Sequence, residues 1–170
     1  MKHLYLIRHA KSSWSDSRLS DFDRPLNKRG KNDAPFMGKR LASASVQLDL
    51  LVSSSAKRAR KTARLIAGEI GYKRDAIVYH NEIYSSDLSL LLSVLRRTER
   101  EVNSLALVGH NHVITECAEW LTGKGIVNIP TSGIVAISFE IEGWDELDHE
   151  GGQLVFFDYP KLHHKGSSGG

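Results

Sequence analysis

The stretch that decides the fold is Leu4-Tyr5-Leu6-Ile7-Arg8-His9-Ala10. Its apolar part, bounded by polar residues, predicts a buried strand over residues 4–7. Groups just past the carboxyl end of such a strand usually line the crevice of an α/β sheet. Arg8 and His9 therefore stand where a nucleophile beside a fixed positive charge is useful, although the dipeptide alone also fits the polar exit of a core strand.

Short apolar runs alternate with helical patterns along the rest of the chain. Further strands are predicted over 48–52, 77–79 and 105–108, and a helix over 27–45. Three more helices are marked by apolar residues at spacings of three and four: Ala59, Ala63, Ile66 and Ile70; Leu88, Leu91, Leu92 and Leu95; Val113, Cys117 and Leu121. Segments 133–141 and 153–157 read as an antiparallel hairpin.

Strand and helix alternate four times, which implies right-handed crossovers. We therefore predict a three-layer α/β/α sandwich with a mostly parallel central sheet, to which the hairpin adds an antiparallel edge. Residues 84–87 run almost directly into the third helix, so no large cap insertion is expected. The 170 residues suit a single domain over 1–160, followed by a disordered tail over 161–170.

Composition excludes several classes of protein. The net charge of +3, from 23 Lys+Arg and 20 Asp+Glu, does not by itself imply a nucleic-acid partner. The single Cys117 cannot form an internal disulfide, and no apolar stretch approaches the roughly 20 residues that cross a bilayer. We expect a cytoplasmic protein without a membrane partner.

Four predicted strands deliver reactive or charged groups at their carboxyl ends. The groups are Arg8 and His9 after the first, residues 53–58 after the second, Glu82 after the third, and His110, Asn111 and His112 after the fourth. Since the carboxyl ends of parallel strands meet at one edge of a sheet, this convergence indicates a functional crevice.

Basic residues crowd the first turn of the second helix, where the helix dipole favours negative side chains. Lys57, Arg58, Arg60 and Lys61 lie there. A bound phosphate would offset their charge and would meet both an arginine fork and free backbone N–H groups. We expect Arg58 to be functional, whereas Arg60, Lys61 and Arg64 lie away from the apolar stripe and suit a solvated basic face.

Three separated blocks carry a resemblance to a known family. They are Arg8-His9 after a strand, the segment from Ser53 through Arg58-Ala59 to Thr62-Ala63, and Val108-Gly109-His110-Asn111. The chain resembles the histidine phosphatase superfamily, which includes the phosphoglycerate mutases. The segments 8–14 and 23–30 are similar to its short branch of SixA-type phosphohistidine phosphatases.

The resemblance implies a metal-independent phosphatase without a cofactor, in which His9 forms a covalent phosphohistidine. His9 must then attack as neutral imidazole, and the adjacent arginines should favour that form. A hydrogen bond from the other ring nitrogen to a backbone carbonyl is the usual device for aiming the attacking nitrogen. Arg8, Arg58 and His110 would bind the phosphoryl oxygens.

Glu82 lies where the resemblance would place a proton donor, but its neighbours do not reproduce the mutase pattern, and it reads equally well as a loop carboxylate. A sugar alkoxide needs a proton to leave, whereas a protonated phosphoimidazole leaves as neutral imidazole. A phosphohistidine substrate therefore tolerates a poor acid.

Several other polar residues near the predicted site have structural or surface roles as alternatives to functional ones. Asn111 is a candidate N-cap for the fourth helix, and His112 reads as structural or surface. Lys11, Trp14 and Arg24 are candidates for the rim of the pocket, with Trp14 alternatively a loop anchor. His80 with Glu82, or His163 with His164, lack the spacing of a zinc site, so no metal site is expected.

These observations favour a phosphatase that acts on protein phosphohistidine through His9. One alternative keeps the site and assigns a small phosphorylated metabolite, with phosphomonoesterase or mutase activity. Another is a non-catalytic domain that binds anions or nucleic acid through residues 57–64, although this run lacks interleaved aromatics. The oligomeric state does not follow from the sequence.

Overall fold

Strand β1 (Lys2–Arg8) occupies the interior of a six-stranded sheet in the computed structural model, which describes residues 1–164. Alternate side chains of this strand face opposite sides of the sheet, as the strand period of two requires. Leu4 and Leu6 enter one hydrophobic cluster and Ile7 enters a second. Both faces of β1 are therefore covered by helices.

The remaining elements follow in the predicted order. The strands are β2 (Leu50–Ser54), β3 (Val78–His80), β4 (Ser104–Gly109), β5 (Ile134–Phe139) and β6 (Gln153–Asp158). The helices are α1 (Lys28–Ser43), α2 (Lys57–Ile70), α3 (Leu88–Arg96) and α4 (Val113–Thr122).

The sheet has the strand order β3-β2-β4-β1-β5-β6. Strands β3, β2, β4 and β1 pair in parallel, whereas β5 is antiparallel to β1 and β6 is antiparallel to β5. This arrangement confirms the predicted α/β fold with a mostly parallel sheet and an antiparallel edge.

Two helical layers bury the two faces of the sheet. The apolar stripe of α2, with Ala59, Ala63 and Ile66, packs with α1 on one face. Helices α3 and α4 cover the other face, where Leu95 and Cys117 are fully buried. Because both layers are filled, the carboxyl ends of β1, β2 and β4 form an open edge where polar side chains can meet.

The connection between β5 and β6 contributes to the core, which its Gly-rich and acidic composition does not indicate. Trp144 is completely buried in the cluster of α3 and α4, and its indole N–H donates to the Val102 carbonyl oxygen at 2.8 Å. A single large aromatic residue in a polar segment leaves no periodic pattern, so its burial escapes sequence analysis.

The expected disordered tail is wrong for residues 161–164. Pro160–Leu162 forms a 3-10 turn, the His163 ring is hydrogen-bonded to the Asp158 carboxylate, and the His163 and His164 rings contact Phe36. These ring and polar contacts tie the segment to α1 and β6. The rest of the predicted tail, residues 165–170, lies outside the described residues.

The turn Asn81–Tyr84 is followed by three residues and then by α3, so the structure carries no large insertion here. Within residues 1–164, no helix combines the length and apolarity that spanning a bilayer requires.

Candidate active site

His9 directly follows β1 and is almost fully buried. Its Nδ1 lies 2.7 Å from the Ala10 carbonyl oxygen. A carbonyl oxygen only accepts hydrogen bonds, so the neutral ring carries its proton on Nδ1 and leaves Nε2 unprotonated, with a lone pair. Arg58 Nε donates to this Nε2 over 3.4 Å. Nε2 is therefore the ring nitrogen that could act as a nucleophile, and it faces Arg58.

The surroundings of His9 keep its ring uncharged. Burial is the main cause that lowers the pKa of His9 to about 3; the bond to Ala10 opposes the change, and the nearby His110, Arg58 and Arg8 contribute to it. Cations beside an imidazole disfavour the imidazolium form. At neutral pH His9 is therefore in the form that can attack phosphorus.

Arg58, in the first turn of α2, is buried and pinned by Asp21 of the turn Asp21–Asp23. Its Nη2 donates to the Asp21 carboxylate at 2.9 Å, and Nη1 donates to the Asp21 backbone oxygen at 2.5 Å. The same carboxylate accepts from the Tyr84 hydroxyl at 2.7 Å and from Arg24 at 2.8 Å. These bonds, the Tyr84 bond foremost, lower the pKa of Asp21 to about 2.

His110, just past β4, brings a second imidazole to the site. Its ring centroid lies 5.1 Å from that of His9, and its Nε2 lies 2.7 Å from the Ser54 hydroxyl oxygen. The same hydroxyl oxygen also accepts the Ala56 N–H at 3.1 Å. Burial, followed by the charge of Arg58, lowers the pKa of His110 to about 4.

Unsatisfied polar atoms gather around His9. Within residues 1–164, the buried side-chain nitrogen or oxygen atoms without a hydrogen-bond partner are Arg8 Nε, His110 Nδ1 and Ser132 Oγ. Arg8 precedes His9, and the Ser132 N–H donates to the carbonyl oxygens of both. An unpaired buried polar group costs about 1–3 kcal/mol, so the cluster suits a ligand with several acceptor oxygens.

A cleft of about 290 Å³ lies at His9 and is lined by Arg8 and Arg58 as well. All three predicted rim residues line it: Lys11, Trp14 and Arg24. Arg24 is buried and its guanidinium lies 3.2 Å from the centre of the Trp14 ring, which is 73% exposed. Trp14 is therefore an exposed wall of the cleft and not a packed loop anchor.

Within the described residues, no hydrogen bond or ion pair of the Glu82 side chain reaches this cluster. Its carboxylate accepts from Arg97 Nη2 at 2.8 Å and lies 3.9 Å from His80. The Arg97 bond holds the pKa of Glu82 below its ordinary value. An ionised carboxylate turned toward Arg97 is poorly suited to donate a proton. No three His, Cys, Asp or Glu side chains of residues 1–164 form a group that suits a metal ion.

The predicted helix cap at Asn111 is wrong, because α4 begins at Val113 with the exposed His112 in the N-cap position. The Asn111 side chain instead accepts from the Thr115 hydroxyl at 2.6 Å and donates to Asn128. Asn111 thus ties the segment after α4 to the start of that helix, beside the Ile129 carbonyl that accepts from Arg8 at 2.9 Å.

Asp21 and Ser132 were not predicted from the sequence, whereas Ser54 falls in the segment 53–58 that was predicted to line the crevice. Asp21 meets Arg58 across 37 residues of chain, and Ser132 reaches His9 from the segment before β5. The sequence does offer a signal for the junction between α2 and the turn that carries His9. Thr62 stands four residues after Arg58 and therefore lies on the same face of the helix. Its hydroxyl donates to the Arg58 carbonyl and accepts the Ala10 N–H, which joins α2 to the His9 turn.

Comparisons with known proteins show which family the chain resembles in sequence and in fold. Residues 4–83 match the profile of the histidine phosphatase superfamily (branch 1). The structure of a candidate phosphohistidine phosphatase SixA from Agrobacterium tumefaciens is 30% identical, with a TM-score of 0.79, and the match covers 94% of this chain and 98% of that one. An uncharacterized protein of Mycobacterium leprae is 29% identical, over 91% of this chain and all of its own length.

A tungstate complex of the protein histidine phosphatase SixA shares the fold, with a TM-score of 0.81 at 18% identity, over 94% of this chain and 98% of that one. The chain belongs to the histidine phosphatase superfamily and is a phosphatase of that class. Within the superfamily it falls in the short SixA-type branch.

Proposed function

We propose that this protein is a protein phosphohistidine phosphatase that works through a covalent phosphoenzyme on His9. The observation that carries the proposal is the unprotonated Nε2 of His9, aimed by the Ala10 carbonyl and set beside Arg58 and His110. Tungstate is a phosphate-like oxyanion, so the tungstate complex of a SixA neighbour supports an anion site of this kind.

The reaction divides into two transfers. In the first, His9 Nε2 attacks phosphorus as the bond from phosphorus to the substrate nitrogen breaks. The substrate ring carries a proton on its other nitrogen and therefore leaves as neutral imidazole. In the second, water attacks the phosphorylated His9 and releases inorganic phosphate and neutral imidazole. Arg8, Arg58 and His110 bind the equatorial oxygens in both, and loss of one such donor typically costs about 100-fold to 1000-fold in rate.

The protonation states near the site favour a nitrogen leaving group. The pKa of Asp21 is about 2 and that of Glu82 is lowered, so both carboxylates are ionised at neutral pH. Neither can protonate a sugar alkoxide as it leaves, whereas a phosphoimidazole can bring its own proton. This supports phosphohistidine over a phosphorylated metabolite as the substrate.

The openness of the cleft favours a substrate displayed on another protein. Only residues 85–87 separate the turn at Tyr84 from α3, and Trp14 stands exposed at the rim. Mutases must shield their phosphoenzyme from water, and no large insertion is present here to do so.

The mechanism is tested by trapping the phosphoenzyme. Wild-type protein and His9→Ala are incubated with a labelled phosphodonor, quenched, and assayed for acid-labile, base-stable label that maps to one peptide. We expect label on the peptide with His9 in wild type and none in His9→Ala, with the exposed His112→Ala as the matched control. Label that survives in His9→Ala contradicts the mechanism.

The substrate class is tested by comparing hydrolysis of a histidine-phosphorylated protein with that of sugar phosphates. We expect the ratio kcat/KM to favour the phosphohistidine protein by at least about 100-fold, because the site lacks an acid for alkoxide departure. Equal or better hydrolysis of a sugar phosphate supports the metabolite phosphatase instead.

A further inference from the structure

A second cleft lies beside the catalytic one and is lined almost entirely by cations. It has a volume of about 390 Å³ and lies against Pro25 and Leu26. Five exposed side chains from α1 and α2 surround it, and we refer to them as the basic groove: Lys31, Lys57, Arg60, Lys61 and Arg64.

None of the five forms an ion pair with a carboxylate anywhere in the described part of the chain. Lys57 and Lys61, and likewise Arg60 and Arg64, stand four residues apart on α2, where like charges destabilise a helix. Cations concentrated in the first half of a helix also oppose its dipole. A bound anion would offset both unfavourable effects.

The basic groove and the catalytic cleft share a wall. Arg24 lines the catalytic cleft, and the next two residues, Pro25 and Leu26, line the groove. Leu26 also pairs with Ser12 of the catalytic rim in an isolated β-bridge. A ligand that extends from the catalytic cleft over this wall meets the groove directly.

We propose that the basic groove binds an acidic segment of the phosphorylated protein while its phosphohistidine occupies the catalytic cleft. The inference rests on the proposed function and extends it to the class of substrate, a phosphohistidine protein with an acidic surface near the modified residue. Charge complementarity argues for this occupant, because an acidic segment would supply carboxylates to five cations that form no ion pair within the described residues.

A nucleic acid fits the groove less well than an acidic polypeptide. Single-stranded nucleic acids bind by stacking bases on exposed aromatic rings as well as by phosphate contacts. No aromatic side chain lines the groove among the described residues. Nearby, guanidinium groups already lie over the rings of Tyr79 and Trp14, that of Arg60 at 4.8 Å and that of Arg24 at 3.2 Å from the ring centre.

The test uses two synthetic peptides that carry one phosphohistidine, flanked by glutamates in one and by glutamines in the other. We expect wild-type protein to show a KM at least about tenfold lower for the glutamate peptide. In the double variant K61E/R64E this preference should disappear, while kcat/KM for free phosphohistidine stays within about twofold of wild type. Raising the ionic strength from about 0.1 to 1 M shortens the Debye length to about 3 Å and should abolish the wild-type preference.

The matched control is K73E/K124E, which makes the same change of charge. Lys73 and Lys124 follow the carboxyl ends of α2 and α4, at the edge of the sheet opposite the clefts. It should keep the preference for glutamate. An equal KM for the two peptides in wild type overturns the proposal, as does a preference that persists in K61E/R64E or vanishes in the control.

Fluorescence anisotropy with labelled, unphosphorylated peptides measures docking without turnover. If neither phosphopeptide is hydrolysed, the proposed function fails, and binding that depends on glutamate and on the basic groove still reports separately on the docking surface. Tighter binding of a single-stranded RNA oligonucleotide than of the glutamate peptide, lost in K61E/R64E, overturns the acidic-protein proposal in favour of a nucleic-acid ligand.

Discussion

Arg58 meets a carboxylate before any substrate arrives. Asp21 accepts from one arm of its guanidinium through the side chain and from the other through the backbone oxygen, while Nε points to His9. This pairing fixes the arginine fork, and it also places a negative charge beside the proposed phosphate site. We therefore expect Asp21 to orient Arg58 and at the same time to weaken the binding of phosphate.

Asp21→Asn separates these two effects. The change keeps the size of the side chain and removes one negative charge, so we expect inorganic phosphate to bind about threefold to tenfold more tightly by isothermal titration calorimetry. Asp23→Asn is the matched control, because its carboxylate accepts from Ser20 on the same turn. Unchanged or weaker phosphate binding in Asp21→Asn would show that its charge is not felt at the site.

The junction of α1 with the turn after β1 positions the site at the level of elements. The Asn27 N–H donates to the Lys11 carbonyl oxygen at 3.0 Å, and the Asn27 side chain accepts from the Gly30 N–H at 2.8 Å. A Cβ on Gly30 would lie 2.2 Å from that same Lys11 oxygen. The absence of a side chain at Gly30 lets the helix approach the turn that carries the Ala10 carbonyl.

Gly30→Ala should move α1 away from this turn, because the obstructing atoms are backbone and cannot rotate aside. We expect a loss of about 1–3 kcal/mol in the free energy of unfolding measured with urea, together with reduced phosphatase activity. Gly125→Ala is the control, since a Cβ there meets nothing within 4 Å. Equal stability of the two variants would contradict this packing argument.

At the scale of the whole molecule, the buried histidines make stability depend on pH. The pKa of His9 is about 3 and that of His110 about 4, whereas an unfolded histidine has a pKa of about 6.5. Between those values the unfolded chain binds protons that the folded protein does not, so acid favours unfolding. The free energy of unfolding should fall as pH drops from about 6.5 to 4.

Each histidine contributes a slope of up to about 1.4 kcal/mol per pH unit in this window. Urea unfolding at several pH values should give a shallower slope for His110→Gln than for wild type. The exposed His112→Gln should retain the wild-type slope. Identical slopes in wild type and His110→Gln would contradict a neutral, buried His110.

Sequence analysis predicted the fold well, because its topology follows from periodicity and chain order. The same rule brings His9, Arg58 and His110 together, since each follows a strand whose carboxyl end lies at one edge of the sheet. It could not predict the ion pair of Asp21 with Arg58 or the turning of Glu82 toward Arg97. Those contacts depend on the path of short irregular turns, which apolar spacing does not record.

The interior position of β1 has a consequence for synthesis on the ribosome. Although β1 is made first, its two neighbours in the sheet are β4, which ends at Gly109, and β5, which ends at Phe139. A nascent chain cannot complete both edges of β1 until those late segments have emerged, so the surroundings of His9, to which His110 and Ser132 belong, are also completed late. Truncated translation products that end before β5 should therefore lack phosphatase activity.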